Sequence, residues 1–252
     1  MTGIYFSGTG NTKYCIEKML KCIDQSAKVI PIENSEARDA IVADSVIILA
    51  YPIQFSNAPL IVRDFIRNNP ELWQGKQVLC MVTMGAFSGD GAGCTARLLK
   101  KCGATILGGL HIKMPDSVCD SKLLKKSLEQ NRQIVREADA KIEGTAMNIK
   151  IGKFPKDGLG IWCHIAGLFG QRLWFYGKTS KYSDKLKISA SCTGCGLCAK
   201  LCPMKNITMR NGKPAADEKC TICYRCISHC PQKAMTLLGE KVTEQCRIER
   251  YI

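Results

Sequence analysis

Residues 192 to 231 carry the pattern CxxCxxCxxxCP twice: Cys192, Cys195, Cys198, Cys202 and Pro203, then Cys220, Cys223, Cys226, Cys230 and Pro231. Eight thiols at repeated spacing are not a packing pattern, because buried cysteines acting as small hydrophobes have no reason to keep a register. The stretch has to fold so that the thiols converge. The second copy starts 28 residues after the first, and each CP is followed by an apolar stretch, Ile207 to Met209 and Ala234 to Leu238. Two half-modules of this kind pair into one small fold, and Asn211-Gly212 fits a hairpin turn between them.

Three cysteines spaced by two residues can reach three irons at one corner of a cubic iron–sulfur cluster, leaving the fourth iron to a ligand from farther away. Structural zinc is met instead by two CxxC pairs or by CxxC with histidines, and has no use for a third CxxC step followed by CP. Disulfides imply export, but the chain begins MTGIYFSGTG without a basic start and apolar core, so a reducing cytoplasm is expected. Over about residues 185 to 240 the runs resemble bacterial two-cluster ferredoxins. In that family each cluster takes its distant ligand from the other run. The resemblance implies two [4Fe–4S] clusters in a small α+β domain, one on Cys192, Cys195, Cys198 and Cys230, the other on Cys220, Cys223, Cys226 and Cys202.

At the other end, the apolar run Thr2 to Phe6 leads into Ser7-Gly8-Thr9-Gly10-Asn11-Thr12 and then into Ile16, Met19, Leu20 and Ile23 at helical spacing. Strand, loop and helix in this order leave unpaired amides at a helix start, where the dipole favours a phosphate. The loop is neither GxGxxG nor a lysine-bearing P-loop. It resembles the flavodoxin phosphate loop, (S/T)xTGxT, which implies an FMN phosphate held without a positive side chain.

The alternation continues with strands expected at Lys28 to Ile32, Ser45 to Ala50, Gln77 to Thr83 and Thr105 to Lys113. Helices are expected at Ser35 to Ala43, Ala58 to Asn68, Gly91 to Cys102 and Ser121 to Glu143. This is an α/β pattern, a doubly wound five-stranded parallel sheet, and flavodoxin-like strand order 2-1-3-4-5 suits it. Ligands of such sheets sit beyond the carboxyl ends of the strands, which makes three loops the candidate flavin site. They hold Ser7, Gly8, Thr9, Gly10, Asn11 and Thr12; Tyr51, Pro52, Ile53, Gln54, Phe55 and Asn57; and Thr83, Met84, Gly85, Ala86, Phe87 and Gly91. Resemblance to flavodoxins puts the ring between the second and third loops, covered by Phe55 and Phe87 with Tyr51 as substitute. The second loop has no glycine, a departure from many flavodoxins, and Asn57, which tolerates unusual backbone angles, is expected to stand in for it.

The chain therefore divides into a flavodoxin-like region at 1–145, a connecting segment at 146–184, a ferredoxin-like region at 185–240 and a tail at 241–252. The formal charge of +14 is uneven: residues 1 to 145 have 18 basic and 15 acidic side chains, residues 146 to 252 have 18 and 7. Two oxidised clusters with their thiolates offset only part of this. The surplus points to an acidic redox partner or a membrane surface, and no nucleic-acid partner is expected. Residues 158–176 are apolar and aromatic with basic flanks, but glycines, His164, Gln171 and Arg172 interrupt them, so they make a poor transmembrane span. They suit peripheral membrane contact or, more readily, packing against the first region.

The two ends together resemble flavodoxin–ferredoxin fusion proteins of anaerobic bacteria. That implies single-electron transfer between two [4Fe–4S] clusters and FMN, and on to a redox partner. The alternative is a flavin-dependent reductase that acts directly on a small-molecule acceptor, with electrons supplied through the clusters.

Overall fold

Parallel strands buried on both faces must be apolar along their whole length, and the first half of the chain supplies five such runs. In the computed structural model, which describes residues 1–173 and 185–252, these are β1 (Thr2–Tyr5), β2 (Val29–Pro31), β3 (Val46–Pro52), β4 (Gln77–Met84) and β5 (Thr105–Lys113). They form one parallel sheet in the order β2-β1-β3-β4-β5. The helices between and after them are α1 (Asn11–Ile23), α2 (Glu36–Ala43), α3 (Leu60–Asn68), α4 (Gly91–Lys101) and α5 (Leu128–Lys150).

Alternate strand residues face opposite ways, so the sheet has two cores. One buries Ile16, Met19 and Leu20 of α1 and Ile142 of α5 against Met81 and Ile112. The other buries Ile41, Val62 and Leu99, from α2, α3 and α4, with Trp73 against Ile4, Leu49 and Val82.

Three boundaries differ notably from expectation. Strand β3 runs two residues past Ala50 and takes in Tyr51 and Pro52. Helix α5 starts at Leu128, because the Ser127 hydroxyl accepts from the Gln130 amide (3.1 Å) while the Gln130 side chain accepts from the Ser127 amide (2.9 Å). This capping box is written in the sequence as Ser-Leu-Glu-Gln. The helix continues to Lys150, past its expected end at Glu143 and past the region's expected limit at 145.

The connecting segment lies on the flavodoxin-like region. The Gly109 amide donates to Pro155 and the Asp157 amide donates to Gly109, which lays the chain along the outer edge of β5. Helix α6 (Ile161–Gly167) follows, and its His164 Nδ1 lies 2.9 Å from the fully buried carboxylate of Asp90. Ile161, Trp162 and Phe169 remain exposed. Trp174, Phe175, Tyr176, Lys178 and Lys181 lie outside the described residues. Among the described residues no helix is long and apolar enough to cross a membrane.

The cysteine-bearing module comprises β6 (Lys187–Ile188), α7 (Leu197–Leu201), β7 (Ile207–Arg210), β8 (Lys213–Ala216), α8 (Arg225–His229) and β9 (Met235–Thr236). Strand β6 pairs antiparallel with β9, and β7 with β8, whose turn places Asn211 and Gly212 at φ 50° and 74°. The sequence repeat is a structural one. Helices α7 and α8 occupy equivalent places, and Lys205 and Lys233 share φ 49°. Residues 241–252, expected to be a tail, form a strap instead: Ile248 and Tyr251 are buried in the core beneath α1 and α5.

His111 on β5 is buried, with Nδ1 2.7 Å from the Ser88 hydroxyl and Nε2 accepting from the Ala92 amide at 3.3 Å. Burial holds its pKa below the usual 6.5, partly opposed by the Asp157 and Asp90 carboxylates and aided by Lys141. The folded state therefore favours neutral imidazole. Its contribution is fully present above the unfolded value and is lost as pH falls below about 6.5. The urea midpoint should fall on acidification through that range, and fall less in His111→Asn; an identical fall would remove His111 as the cause.

Candidate functional site

The two cysteine runs interlock. Cys202, Cys220, Cys223 and Cys226 line one small cavity together with Leu186, Ile207, Ile227 and Leu237. Cys192, Cys195, Cys198 and Cys230 line a second, closed by Gly194, Pro214, Pro231 and Met235. Each cavity thus draws three thiols from one run and one from the other. Backbone amides point at the distant ligands in both: Asn206 N–H donates to Cys202 Sγ and Ala234 N–H to Cys230 Sγ, each at 3.3 Å. Burial pushes the Cys223 thiol up to about 12 and moves Cys220, Cys226 and Cys198 in the same direction. Such thiols become ligands when a bound cation compensates the thiolate.

The phosphate-type loop follows β1. Gly10, at φ 93°, caps α1 in a conformation that favours glycine. Thr12 Oγ1 meets Thr83 Oγ1 at 2.7 Å, which ties the first loop to the third. Thr9 Oγ1 meets Ser117 Oγ at 2.9 Å, and Asn11 Nδ2 donates to Pro115 O at 2.7 Å. The residues after β5 were not among the candidates, although the carboxyl end of that strand also borders this edge. Among the described residues Ser7 Oγ and Asn11 Oδ1 are buried without a partner.

In the second loop, Gln54 and Asn57 exchange backbone hydrogen bonds of 2.9 and 3.0 Å around Phe55 and Ser56, at φ 50° and 57°. The left-handed residues are Phe55 and Ser56, not Asn57. The Asn57 carbonyl oxygen of the side chain instead accepts from Ala58 N–H and Cys94 Sγ. Tyr51, expected as the substitute ring cover, is instead fully buried and its hydroxyl donates to Gly91 O at 2.9 Å, which makes it part of the core. Phe55 is partly buried, and Phe87 is 46% exposed. Ile53 packs on Gly91, Gly85 lies against Asp116, and Gly89 lies against Ser56 and Gly167, so the second and third loops meet under the connecting segment. Pro52 and Met84 are half-buried and Ala86 is exposed.

The cysteine module sits on these loops. A Cβ at Gly8 would collide with the Cys223 carbonyl. Arg225 Nη2 donates to Ser7 O (2.7 Å) and Glu33 Oε1 (2.6 Å), and its guanidinium lies 5.7 Å over the Phe6 ring. Gln54 Nε2 donates to Thr221 O (2.6 Å) and Ile222 O (3.1 Å). Asp120, fully buried, accepts from the Leu237 and Leu238 amides at 2.6 and 2.7 Å. Of these tying residues Gly8 and Gln54 were already candidates as flavin-loop residues, whereas Arg225, Glu33 and Asp120 were not singled out in the sequence.

Family comparison places both halves. The family described as a flavodoxin domain matches residues 4–102, and the family described as a 4Fe-4S dicluster domain matches residues 191–235. The chain is a flavodoxin–ferredoxin fusion. Similar solved structures include the two-electron reduced flavodoxin of Megasphaera elsdenii (23% identity, 56% of this chain and 99% of that one, TM-score 0.41). Others are flavodoxin 2 of Bacillus cereus (19%, 58% and 94%, 0.43) and the Fusobacterium nucleatum flavodoxin bound to flavin mononucleotide (16%, 60% and 96%, 0.41). No curated protein matches.

The two domains of the fusion imply FMN and iron–sulfur clusters, and the residues present fit both. The cavities offer four thiols apiece, and the first loop offers a buried hydroxyl with nothing to bond. Ser7→Ala separates ligand binding from stability. It deletes no protein hydrogen bond, so the urea midpoint of the FMN-free fusion should hold or rise, while FMN binding should weaken by about tenfold or more, the usual worth of a bond to a charged group. A lowered midpoint with unchanged FMN affinity would contradict this role.

Proposed function

We propose that the fusion is an electron-transfer protein: it passes single electrons between two [4Fe–4S] clusters and FMN, and on to a redox partner. Flavin supplies exchange between paired and single electrons, and each cluster carries one. The reading rests on one observation. The loop Cys220 to Cys223 and the flavin-type loops at Gly8 and Gln54 form a common wall, so the two kinds of site adjoin inside one chain.

The chain's own residues suit the task. Leu186, Ile207, Ile227 and Leu237 keep water from the cavity next to the flavin loops, a lever on reduction potential. Cys195, in the other cavity, is exposed, which suits exchange with a docked protein.

A cleft between α3, α4 and α6 opens beside Asn57 and is lined by Arg63, Arg67, Arg97 and Lys101. Its charge favours an acidic partner. It also lends weight to the second reading, direct reduction of a small anionic acceptor near the second flavin loop.

Purified without oxygen, the fusion should contain about eight iron, eight labile sulfide and one FMN per chain. About two zinc and no sulfide would overturn the reading. Under the carrier reading, a reduced acidic redox protein is oxidised faster at low salt than at high salt; salt-independent rates would remove the basic cleft as its dock.

A further inference from the structure

We infer that the cluster-bearing module completes the flavin site: the run Thr221 to Arg225 braces the phosphate loop, so that FMN binding is coupled to the filling of the neighbouring four-cysteine cavity. The inference rests on the proposed assignment of FMN to the three loops and of a cluster to Cys202, Cys220, Cys223 and Cys226.

Three contacts converge on the flavin loops from the five residues of that run. The Cys223 carbonyl packs on Gly8, closely enough to exclude any side chain there. Arg225 holds the Ser7 carbonyl and Glu33 at once, with its side chain only 18% exposed. Gln54 reaches across to the carbonyls of Thr221 and Ile222. The strap adds a fourth, with the Ile248 amide donating to Thr9 O at 3.0 Å. The backbone of Ser7 and Thr9 is thus held from outside, by residues of the other half.

What holds Thr221 to Arg225 in place is the decisive point. The two cysteine runs use the same backbone turns, with left-handed residues two and four positions after the first cysteine. In the first run these are Gly194 (φ 71°) and Gly196 (φ 73°); in the second they are Ile222 (φ 54°) and Tyr224 (φ 60°). A β-branched or aromatic residue in that region is strained and persists only where the surroundings over-determine it. Gathering Cys220, Cys223 and Cys226 on one cluster supplies that constraint. With the cavity empty, Ile222 and Tyr224 are free to relax, and the Cys223 carbonyl and Arg225 leave the phosphate loop together. Glycine at both places in the first run would respond little to the same loss. The run with the strained residues is the one that touches the flavin loops.

The test measures the FMN dissociation constant by flavin fluorescence, without oxygen, on the full chain. Iron-loaded protein is compared with protein stripped of iron by a chelator, and with iron-loaded Arg225→Gln, Arg225→Lys and Gln54→Ala. Stripping, Arg225→Gln and Gln54→Ala should each weaken FMN binding at least about fivefold, the low end of ordinary coupling between sites. Arg225→Lys should recover part of the loss, since it keeps the charge but not the two-pronged geometry. Arg210→Gln breaks an ion pair with Asp217 on the β7–β8 hairpin, whose Gly212 packs on Gly194, and should bind FMN like the parent. Where Arg225→Gln assembles no cluster, Gln54→Ala decides, because it leaves the cysteine run intact. Equal FMN affinity in loaded, stripped and Gln54→Ala protein would overturn the coupling and leave the cofactor assignment standing. Absence of FMN binding in every form would overturn both.

Discussion

The constraint on which the rest depends is the close approach of two backbones at Gly8. The Cys223 carbonyl sits where a side chain would be, so only glycine permits the cysteine module to reach the carboxyl edge of the sheet. Arg225 fixes the approach electrostatically, with one nitrogen on a loop carbonyl and on the Glu33 carboxylate. The strap adds a bond on the same loop, from the Ile248 amide to Thr9 O, and Asp120 ties the module through the Leu237 and Leu238 amides. A hydrogen bond from a charged donor to a buried carbonyl is worth more than a neutral one. The seam therefore combines these polar contacts with apolar packing, Cys119 against Tyr224 and Ile227 in the module and Ile248 and Tyr251 in the core at α1 and α5. The consequence is functional: electron exchange falls steeply with distance, and the contacts bring the inner four-thiol cavity to the flavin-type loops.

The elements legible in the sequence were those governed by local repetition. Apolar runs alternating with amphipathic stretches gave away the sheet and its helices, because a parallel strand buried on both faces has no polar position to hide. The doubled cysteine pattern carried over into geometry, as turns, short helices and N–H to Sγ bonds recur at the same offsets. What remained hidden was decided by partners far off in the chain. Arg225 and Ser7 are 218 residues apart, and nothing local to either marks the pairing. Tyr51 looked available as a ring cover because it follows an apolar run, but pairing with β4 extends that strand through Pro52 and turns the phenol inward to Gly91. The strap resembled a tail because its two anchors, Ile248 and Tyr251, are isolated apolar residues among charged ones.

The connecting segment shows how the fold manages a stretch that composition alone left open. Its first part continues the sheet edge at β5, and its helix is pinned where His164 meets Asp90, a carboxylate also paired with Arg97 at 2.5 Å. A fully buried acid between two basic groups is costly to leave unpaired, so this junction resists opening. It also roofs the basic cleft beside Asn57, and the charge surplus of the chain is therefore felt near the flavin loops as well as around the cysteine cavities.

The central claim is that flavin and clusters exchange electrons within one molecule. Rapid mixing of the oxidised holoprotein with a one-electron reductant, followed by absorbance at flavin and iron–sulfur wavelengths, tests it most directly. Internal exchange predicts that both chromophores settle together after mixing, at a rate independent of protein concentration. Chromophores that change independently, or that equilibrate at a rate proportional to concentration, would contradict it.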